Sequence, residues 1–217
     1  MKTIKAIIFD LGGVLVDLDI EDCKSSFKSL LGYYGIDDII DPCHQRGIYG
    51  DLEEGLMTAE DFRSTVLAES RPGSDPALVD EAMWHILTGM SSYKGVLLRK
   101  LAEKYDLYLL SNNNPICMPR SRQIFEENGT PLDEVFKKCF LSYELKTLKP
   151  SEKFYKTVVK EIGLPAEQMV FIDDSMKNVE GAVAAGLPAV HYVPGSDLSE
   201  LMAEVLDDPD IKMEGVC

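Results

Sequence analysis

Short apolar runs alternate along the chain with longer segments in which apolar residues recur at helical spacing. Runs that are apolar at nearly every position are typical of strands buried on both faces of a sheet. They occur at Ile4–Phe9, Leu107–Leu110, Lys138–Leu141, Met169–Ile172 and Ala189–Val193. Helical patterns occur at Tyr93–Tyr105, Ser151–Ile162, Met176–Ala185 and Ser196–Leu206. This alternation predicts an α/β fold with a doubly wound parallel sheet.

The chain between the first two predicted strands, from Phe9 to Leu107, is much longer than one crossover helix needs. This segment shows several helical patterns and no strand pattern. Thr58-Ala-Glu-Asp61 resembles a capping box at the start of one of these helices. We therefore expect an inserted helical cap subdomain at residues 17–91 and a core domain formed by residues 1–16 and 92–217.

Composition excludes several classes of partner. The chain has 217 residues, 45 % of them hydrophobic, and a formal net charge of −15. This acidic balance argues against binding to nucleic acid, which needs clustered lysine and arginine, and against anionic membrane surfaces. The five cysteines are scattered and form no Cys-x-x-Cys pair, which favours reduced thiols over a zinc site or disulfides. The N-terminal apolar run is too short for a signal peptide, so we expect a cytoplasmic protein.

Polar side chains follow four of the apolar runs, where strands are predicted to end. Asp10 follows the first run and Ser111–Asn114 the second; Lys149 lies a few residues beyond the third, and Asp173 and Asp174 end the fourth. Because the carboxyl ends of parallel strands lie at one edge of a sheet, these side chains are expected to converge.

Such a cluster suits phosphoryl transfer. Three carboxylates in one crevice repel one another unless a cation neutralises them, and Mg²⁺ prefers oxygen ligands. Lys149 and the Ser111 hydroxyl would hold phosphoryl oxygens. Asp10 would attack phosphorus and form an aspartyl-phosphate that water then hydrolyses.

The sequence resembles the haloacid dehalogenase-like hydrolases, from Ile7 to about Gly186. Four motifs of that family recur here in the same order, and together they are a specific signal. They are Ile7-Ile-Phe-Asp10-Leu-Gly-Gly-Val14, Leu110-Ser111-Asn112, Lys149-Pro150, and Phe171-Ile-Asp173-Asp174-Ser175 with Asn178-Val179-Glu180-Gly181.

The resemblance implies a role for each matching residue. Asp10 is the nucleophile, Lys149 stabilises it and the transferring group, and Ser111 and Asn112 bind phosphate. Mg²⁺ would be held by Asp10, the Gly12 carbonyl, Asp173 and Asp174. The resemblance also implies a Rossmann-like core and a helical cap, in agreement with the predicted insert.

One position departs from the phosphatase pattern of this family. Phosphatases usually have a second aspartate two residues after the nucleophile, which protonates the leaving alkoxide and then activates water. Here that residue is Gly12. The family's 2-haloacid dehalogenases also lack this aspartate, because halide leaves without a proton. The intact pair Asp173 and Asp174 favours phosphoryl chemistry; a dehalogenase and a non-catalytic phosphometabolite-binding protein are the alternatives.

The substrate is expected to be a small phosphorylated metabolite. The first motif is also similar to that of bacterial α-glucose-1-phosphate phosphatases, and the anomeric oxygen of a sugar 1-phosphate needs less acid help to leave. Asp17 or Asp19 would supply the proton or bind a sugar hydroxyl, and Arg46 of the insert would reach the substrate. The acidic run Asp51-Leu-Glu53-Glu54 is expected to be a solvated face.

Overall fold

The computed structural model of the protein describes residues 3–40 and 47–213. Five of the strands in this part of the chain form a parallel sheet in the order β5-β4-β1-β6-β7, and β2 pairs with β3 in a separate antiparallel ribbon. In chain order the strands are β1 (Ala6–Phe9), β2 (Asp17–Leu18), β3 (Leu87–Gly89), β4 (Asp106–Ser111), β5 (Lys138–Leu141), β6 (Met169–Asp173) and β7 (Ala189–His191).

The helices fall into two groups along the chain. Between β2 and β3 lie α1 (Ile20–Ser26), α2 (Ile36–Ile39), α3 (Gly47–Glu53), α4 (Ala59–Ala68) and α5 (Ala77–Trp84), and a π-helical turn, Phe27–Leu31, continues α1. The core carries α6 (Ser92–Ala102), α7 (Cys117–Glu127), α8 (Leu132–Val135), α9 (Ser142–Leu145), α10 (Glu152–Ile162), α11 (Met176–Ala184) and α12 (Leu198–Leu206), with 3₁₀ turns at Ala166–Gln168 and Pro209–Ile211. None of the helices within the described ranges is both long enough and apolar enough to cross a bilayer.

Alternation along β1 explains why helices cover both faces of the sheet. Ile7 and Phe9 are buried on one face, in the cluster that also contains residues of α6, α7 and α12. Ala6 and Ile8 are buried on the other face, with residues of α10 and α11. A strand buried on both sides is apolar at every position. The predicted doubly wound parallel sheet is confirmed.

The strand order places a crevice above β1. The chain proceeds from β1 to β4 and β5 on one side, and then crosses to β6 and β7 on the other. Where the direction of winding reverses, the loops that follow neighbouring strands diverge and leave room for a ligand. The ends of β1, β4 and β6 therefore surround the natural binding position of this fold.

The inserted helices have an apolar core of their own. It is built around residues such as Phe27, Phe62 and Val79, and it also includes Ile116 and Cys117 from the start of α7. The insert is thus packed against the core domain near the end of β4. The domain limits predicted from the sequence stay a prediction; β2 and β3 lie at those limits.

Some local predictions are confirmed and others are wrong. Thr58 caps α4, because its Oγ1 accepts the Asp61 N–H at 3.1 Å. The prediction that no strand occurs in residues 17–91 is wrong, since β2 and β3 pair there. Strands of two and three residues are too short to show an alternating pattern. The sequence pattern also left α7 unassigned, and Pro119 lies within its first turn.

The apolar cluster of the insert can be tested with Phe62→Ala. Phe62 is fully buried, and its truncation leaves a cavity. We expect the free energy of unfolding to fall by about 3–5 kcal/mol in urea denaturation. Leu56→Ala is the control, because Leu56 is 65 % exposed and its loss should cost about 0.5 kcal/mol or less. Equal effects of the two changes would contradict a packed cap core.

Candidate active site

One buried ammonium group links the ends of three strands. Lys149 Nζ lies 2.8 Å from Asp10 Oδ1 after β1 and 2.7 Å from Asp173 Oδ2 at the end of β6. It also donates to the carbonyl oxygen of Leu110 in β4 at 3.2 Å. An ammonium group has three N–H donors, so each donor is directed to a different strand. The convergence of Asp10, Lys149 and Asp173 predicted from the sequence is present in the structure.

The backbone of Lys149 is held from both sides. Asn112 Oδ1 accepts the Lys149 N–H at 2.8 Å, and Asn112 Nδ2 donates to the Lys149 carbonyl oxygen at 3.2 Å. The Lys149–Pro150 peptide is cis. A Cβ atom at Gly181 would lie 2.7 Å from Pro150 Cβ, so glycine allows α11 to pack closely against this loop. The side chain of Asn112 therefore positions the lysine backbone, and its predicted contact with phosphate stays a prediction.

Asp173 is fully hydrogen bonded. Its Oδ1 accepts from the Ser175 N–H at 2.8 Å and from Asn178 Nδ2 at 3.1 Å. Its Oδ2 accepts from Lys149 Nζ and from Asn178 Nδ2, the latter at 3.2 Å. These donors occupy the roughly four lone-pair positions of a carboxylate. Asp173 therefore anchors Lys149 and the start of α11, and it can bind a cation only by giving up one of these donors.

The carboxylates form a cluster that a divalent cation fits. One oxygen from each of Asp10, Asp173 and Asp174 lies within 4.8 Å of the others. Lys149 is the cation paired with this cluster in the described structure, which leaves an excess of negative charge. Asp10 Oδ1 is held by Lys149 Nζ and by the Leu11 N–H. An all-oxygen donor set of this kind suits Mg²⁺, with Asp10 and Asp174 as the ligands that remain accessible.

Burial and mutual repulsion set the charge states of the cluster. Burial raises the pKa of Asp10 to about 8; the Lys149 ammonium opposes this rise, and Asp173 adds to it. The pKa of Asp174 is also raised, first by burial and then by Asp173. Burial alone would lower the pKa of Lys149, but Asp10 and Asp173 raise it above its ordinary value. The lysine therefore stays charged, and the carboxylates need further positive charge.

Gly12 and Gly13, which follow Asp10, are each in close contact with a different side chain. Gly13 has φ +77°, and a Cβ atom there would lie 2.2 Å from Asp174 Oδ2, so only glycine permits this contact. A Cβ atom at Gly12 would lie 2.9 Å from Leu18 Cδ1. The position where phosphatases of the resembled family have an acidic residue is thus covered by the side chain of Leu18.

A cavity of about 440 Å³ lies over Asp10, between the core and the insert. Ser111, Asn112 and Lys149 line its core side, as predicted from the sequence. The wall contributed by the insert consists of Leu18, Ile20, Ile40, Tyr49, Glu53, Ile86 and Leu87. The cavity is large enough for a small phosphorylated metabolite.

Two of the predicted substrate-binding or acid residues lie elsewhere. Asp17 Oδ1 is paired with Lys94 Nζ at 3.2 Å, and Asp17 does not line the cavity. Asp19 caps α1, because its Oδ1 accepts the Asp22 N–H at 2.9 Å. The prediction for Asp17 is therefore wrong in this structure. Arg46, the other predicted cap contact, lies outside the described residues.

Glu53 was missed by the sequence analysis. The prediction of a solvated acidic face is wrong for this residue, which is only 4 % exposed and lines the cavity. Asp51, in the same helix, is exposed as expected. Helical spacing distinguishes Glu53 from Asp51. Tyr49, Leu52 and Glu53 follow an i, i+3, i+4 pattern and so lie on one face of α3.

A hydroxyl group joins α3 to the core. Ser142 Oγ lies 2.6 Å from the Glu53 carbonyl oxygen and 3.1 Å from the Asn113 carbonyl oxygen, and it accepts the Asn113 N–H at 3.0 Å. Gly55 packs directly on Tyr143, the residue after Ser142. A Cβ atom at Gly55 would lie 2.1 Å from the Tyr143 carbonyl oxygen. The end of α3 is therefore docked on the turn that follows β5.

The family model for haloacid dehalogenase-like hydrolases matches residues 4–186. The chain belongs to the haloacid dehalogenase-like hydrolases. Within this family it is 30 % identical over 216 residues to the D-ribitol-5-phosphate phosphatase of Bacteroides thetaiotaomicron, which covers 94 % of this chain and 99 % of the relative.

Solved structures of other haloacid dehalogenase-like enzymes share the fold. A Bacteroides thetaiotaomicron enzyme of the family, crystallised with magnesium and inorganic phosphate, has a TM-score of 0.85 and 34 % identity, covering 91 % of this chain and 98 % of its own. A predicted family hydrolase of Porphyromonas gingivalis has a TM-score of 0.84 and 29 % identity, covering 94 % and 98 %. The family resemblance inferred from the four motifs is confirmed.

Lys149→Met tests the central ion pairs of this hydrolase. The change leaves Asp10 and Asp173 buried without their countercharge, so we expect the free energy of unfolding to fall by about 3–5 kcal/mol in metal-free buffer. Urea denaturation measures the loss. Lys146→Met is the matched control, because Lys146 is exposed and its replacement should change stability by about 0.5 kcal/mol or less. Similar stability of both variants would show that Lys149 does not hold the cluster together.

Gly13→Ala tests the contact with Asp174. The new Cβ atom would displace the Asp174 carboxylate, so we expect Mg²⁺ affinity in calorimetric titration to fall by about 10-fold or more. Gly163→Ala is the control: Gly163 has a similar φ of +74°, but a Cβ atom there meets no atom within 4 Å. It should carry only the backbone strain, about 1–2 kcal/mol, with unchanged Mg²⁺ affinity. Equal Mg²⁺ affinities in the two variants would contradict this assignment.

Proposed function

We propose that the protein is a Mg²⁺-dependent phosphatase that hydrolyses a small polyhydroxylated phosphate ester through an aspartyl-phosphate at Asp10. The observation that carries this proposal is the buried Lys149 held between Asp10 and Asp173 beneath the cavity. The similarity to a D-ribitol-5-phosphate phosphatase and to an enzyme crystallised with magnesium and phosphate supports both the reaction and the cation.

The residues that would hold Mg²⁺ are Asp10, Asp174 and the Gly12 carbonyl, with Asp173 adjoining them. When bound, the cation supplies the positive charge that offsets the clustered carboxylates and the phosphate dianion. Gly13 serves this arrangement because it lets the Asp174 carboxylate lie against the backbone after β1.

Asp10 is placed to be the nucleophile. Its Oδ1 is held by Lys149 and by the Leu11 N–H at 2.7 Å, which directs the other oxygen, Oδ2, to the substrate. Attack by Oδ2 forms a bond to phosphorus while the bond from phosphorus to the ester oxygen breaks, and the departing alkoxide takes a proton from water and leaves as the alcohol. Water then attacks the phosphorus of the aspartyl-phosphate, and inorganic phosphate leaves as Asp10 is regenerated.

Ser111 and Lys149 assist this transfer from fixed positions. The Ser111 side chain lines the cavity beside Asp10, where its hydroxyl can donate to a phosphoryl oxygen. Lys149 keeps Asp10 oriented and offsets charge on the transferring group. Asn112 contributes through Lys149, since its side chain holds the lysine backbone. The described residues of the insert that line the cavity opposite this group are leucine and isoleucine apart from Tyr49 and Glu53.

The decisive experiment is a phosphate-release screen over phosphorylated polyols and sugars, including D-ribitol 5-phosphate and sugar 1-phosphates, with Mg²⁺ and with EDTA. We expect Mg²⁺-dependent turnover that falls by at least about 1,000-fold in Asp10→Asn, because the amide is not a nucleophile. Asp17→Asn is the matched control and should retain activity, since Asp17 pairs with Lys94 outside the cavity.

The alternatives give different results in the same assay. Release of halide from a 2-haloacid in the presence of EDTA would identify a dehalogenase and overturn the proposal. Stabilisation of the protein by a phosphorylated metabolite without phosphate release from any member of the screen would identify a binding protein.

A further inference from the structure

Glu53 is the buried acidic residue of the cavity that the proposed reaction does not use. It lies at the end of α3, on the wall that faces Asp10 and Lys149. Among the buried side-chain polar atoms of the described residues, Glu53 Oε2 is the one without a hydrogen-bond partner. A buried oxygen with no donor is costly, and native proteins rarely retain one without a reason.

The surroundings of Glu53 offer it little compensation. Burial raises its pKa to about 7, against the opposing effects of the Tyr49 hydroxyl and the Lys149 ammonium. The cavity wall that it shares is largely apolar and includes Ile40 and Ile86. Near neutral pH the carboxyl group can therefore either accept a hydrogen bond or donate one, and both suit an alcohol hydroxyl.

The described part of the insert gives the cavity one other polar side chain, that of Tyr49. Of the described insert residues that line it, Tyr49 and Glu53 alone carry polar side chains; the rest are leucine or isoleucine. On the core side, Asn113 Oδ1 and Asn114 Oδ1 accept backbone N–H groups, and Lys149 is engaged with carboxylates. On the described part of this wall, a hydroxylated organic group above Asp10 therefore meets two polar side chains, and the unpartnered oxygen is Glu53 Oε2.

We propose that Glu53 Oε2 binds a hydroxyl of the substrate's organic group, so that the enzyme prefers polyhydroxylated phosphate esters to unsubstituted alkyl phosphates. This inference rests on the proposed phosphatase function and assigns its selectivity to one atom. Glu53 is fixed for this purpose because its carbonyl oxygen is held by Ser142 of the core and its helix is docked there through Gly55.

The test compares two esters with the same carbon number: D-ribitol 5-phosphate, with four hydroxyls, and pentyl phosphate, with none. In Glu53→Leu we expect kcat/KM for the ribitol ester to fall by about 10- to 100-fold, the usual range for losing a hydrogen bond to a charged group. Turnover of pentyl phosphate should stay within a few-fold of wild type. Glu53→Gln keeps one acceptor oxygen and replaces the other with an NH₂ donor group. Its kcat/KM for the ribitol ester should lie between those of wild type and Glu53→Leu.

The ratio of the two kcat/KM values is measured on one sample, so a partly unfolded variant does not change it. Asp51→Asn is the matched control: it removes an exposed carboxylate from the same helix and should leave the ratio unchanged. A ratio in Glu53→Leu equal to that of wild type would overturn the proposal. If both kcat/KM values fell by the same factor, Glu53 would support structure or the chemical step; if neither fell, Glu53 would have no role in turnover.

Binding of free ribitol separates this inference from the proposed reaction. Calorimetric titration with ribitol, in Mg²⁺ and inorganic phosphate, needs no turnover. We expect Glu53→Leu to bind ribitol at least about 10-fold more weakly than wild type. Ribitol binding that is equal in the two proteins, or absent from wild type, would overturn the role of Glu53. Failure of wild type to release phosphate from any ester would overturn the proposed function instead.

Discussion

The three contacts of the Lys149 ammonium group are the constraint on which the site depends. They join the ends of β1, β4 and β6 through one point charge that is shielded from solvent. Burial of these ions is costly, and it is tolerated because every donor of the lysine and both oxygens of Asp173 are engaged. The backbone of Lys149 is held in turn by Asn112. A phosphoryl site assembled from separate strands is thereby kept in one geometry before any substrate arrives.

The two sides of the cavity have different roles: the core side carries the reacting groups, and the insert side contacts the organic group of the substrate. Its core side carries the charged and hydrogen-bonding groups that can act on a phosphoryl group, and these follow strands of the sheet. Its other side comes from the inserted helices, and the residues of that side that the structure describes are apolar apart from Tyr49 and Glu53. Leu18 extends this apolar wall over Gly12. Variation in the insert can therefore change the accepted organic group while the phosphoryl site stays constant.

Sequence patterns predicted the parallel sheet and the convergence of Asp10, Ser111, Lys149 and the aspartate pair, because strand ends in such a sheet share one edge. They did not predict what each side chain contacts. The Asn112 amide pairs with the backbone of a residue far along the chain, and the lone pairs of Asp173 are filled by donors from another loop and from α11. The pairings of Lys149 are tertiary, and those of Asp173 with Ser175 and Asn178 are single local contacts, so none of them leaves a periodic signal.

The insert was harder to interpret for a related reason. Glu53 belongs to a charged run that is typical of solvated helices, and only its register with Tyr49 and Leu52 indicates a buried face. The strands β2 and β3 are too short for any pattern to be visible. A sequence pattern predicts structure where many residues share one environment. The burial of Glu53 and the pairing of β2 with β3 each depend on one or two contacts, so no pattern shows them.

The hydroxyl of Ser142 has a single hydrogen and two carbonyl oxygens within reach, one on Glu53 and one on Asn113. If the insert moves away from the core, the hydroxyl can rotate so that it donates to the Asn113 carbonyl oxygen instead of the Glu53 carbonyl oxygen. The Asn113 N–H keeps the serine oxygen as its acceptor throughout. Separation at this seam therefore leaves the Ser142 hydroxyl and the Asn113 N–H with hydrogen-bond partners within the core.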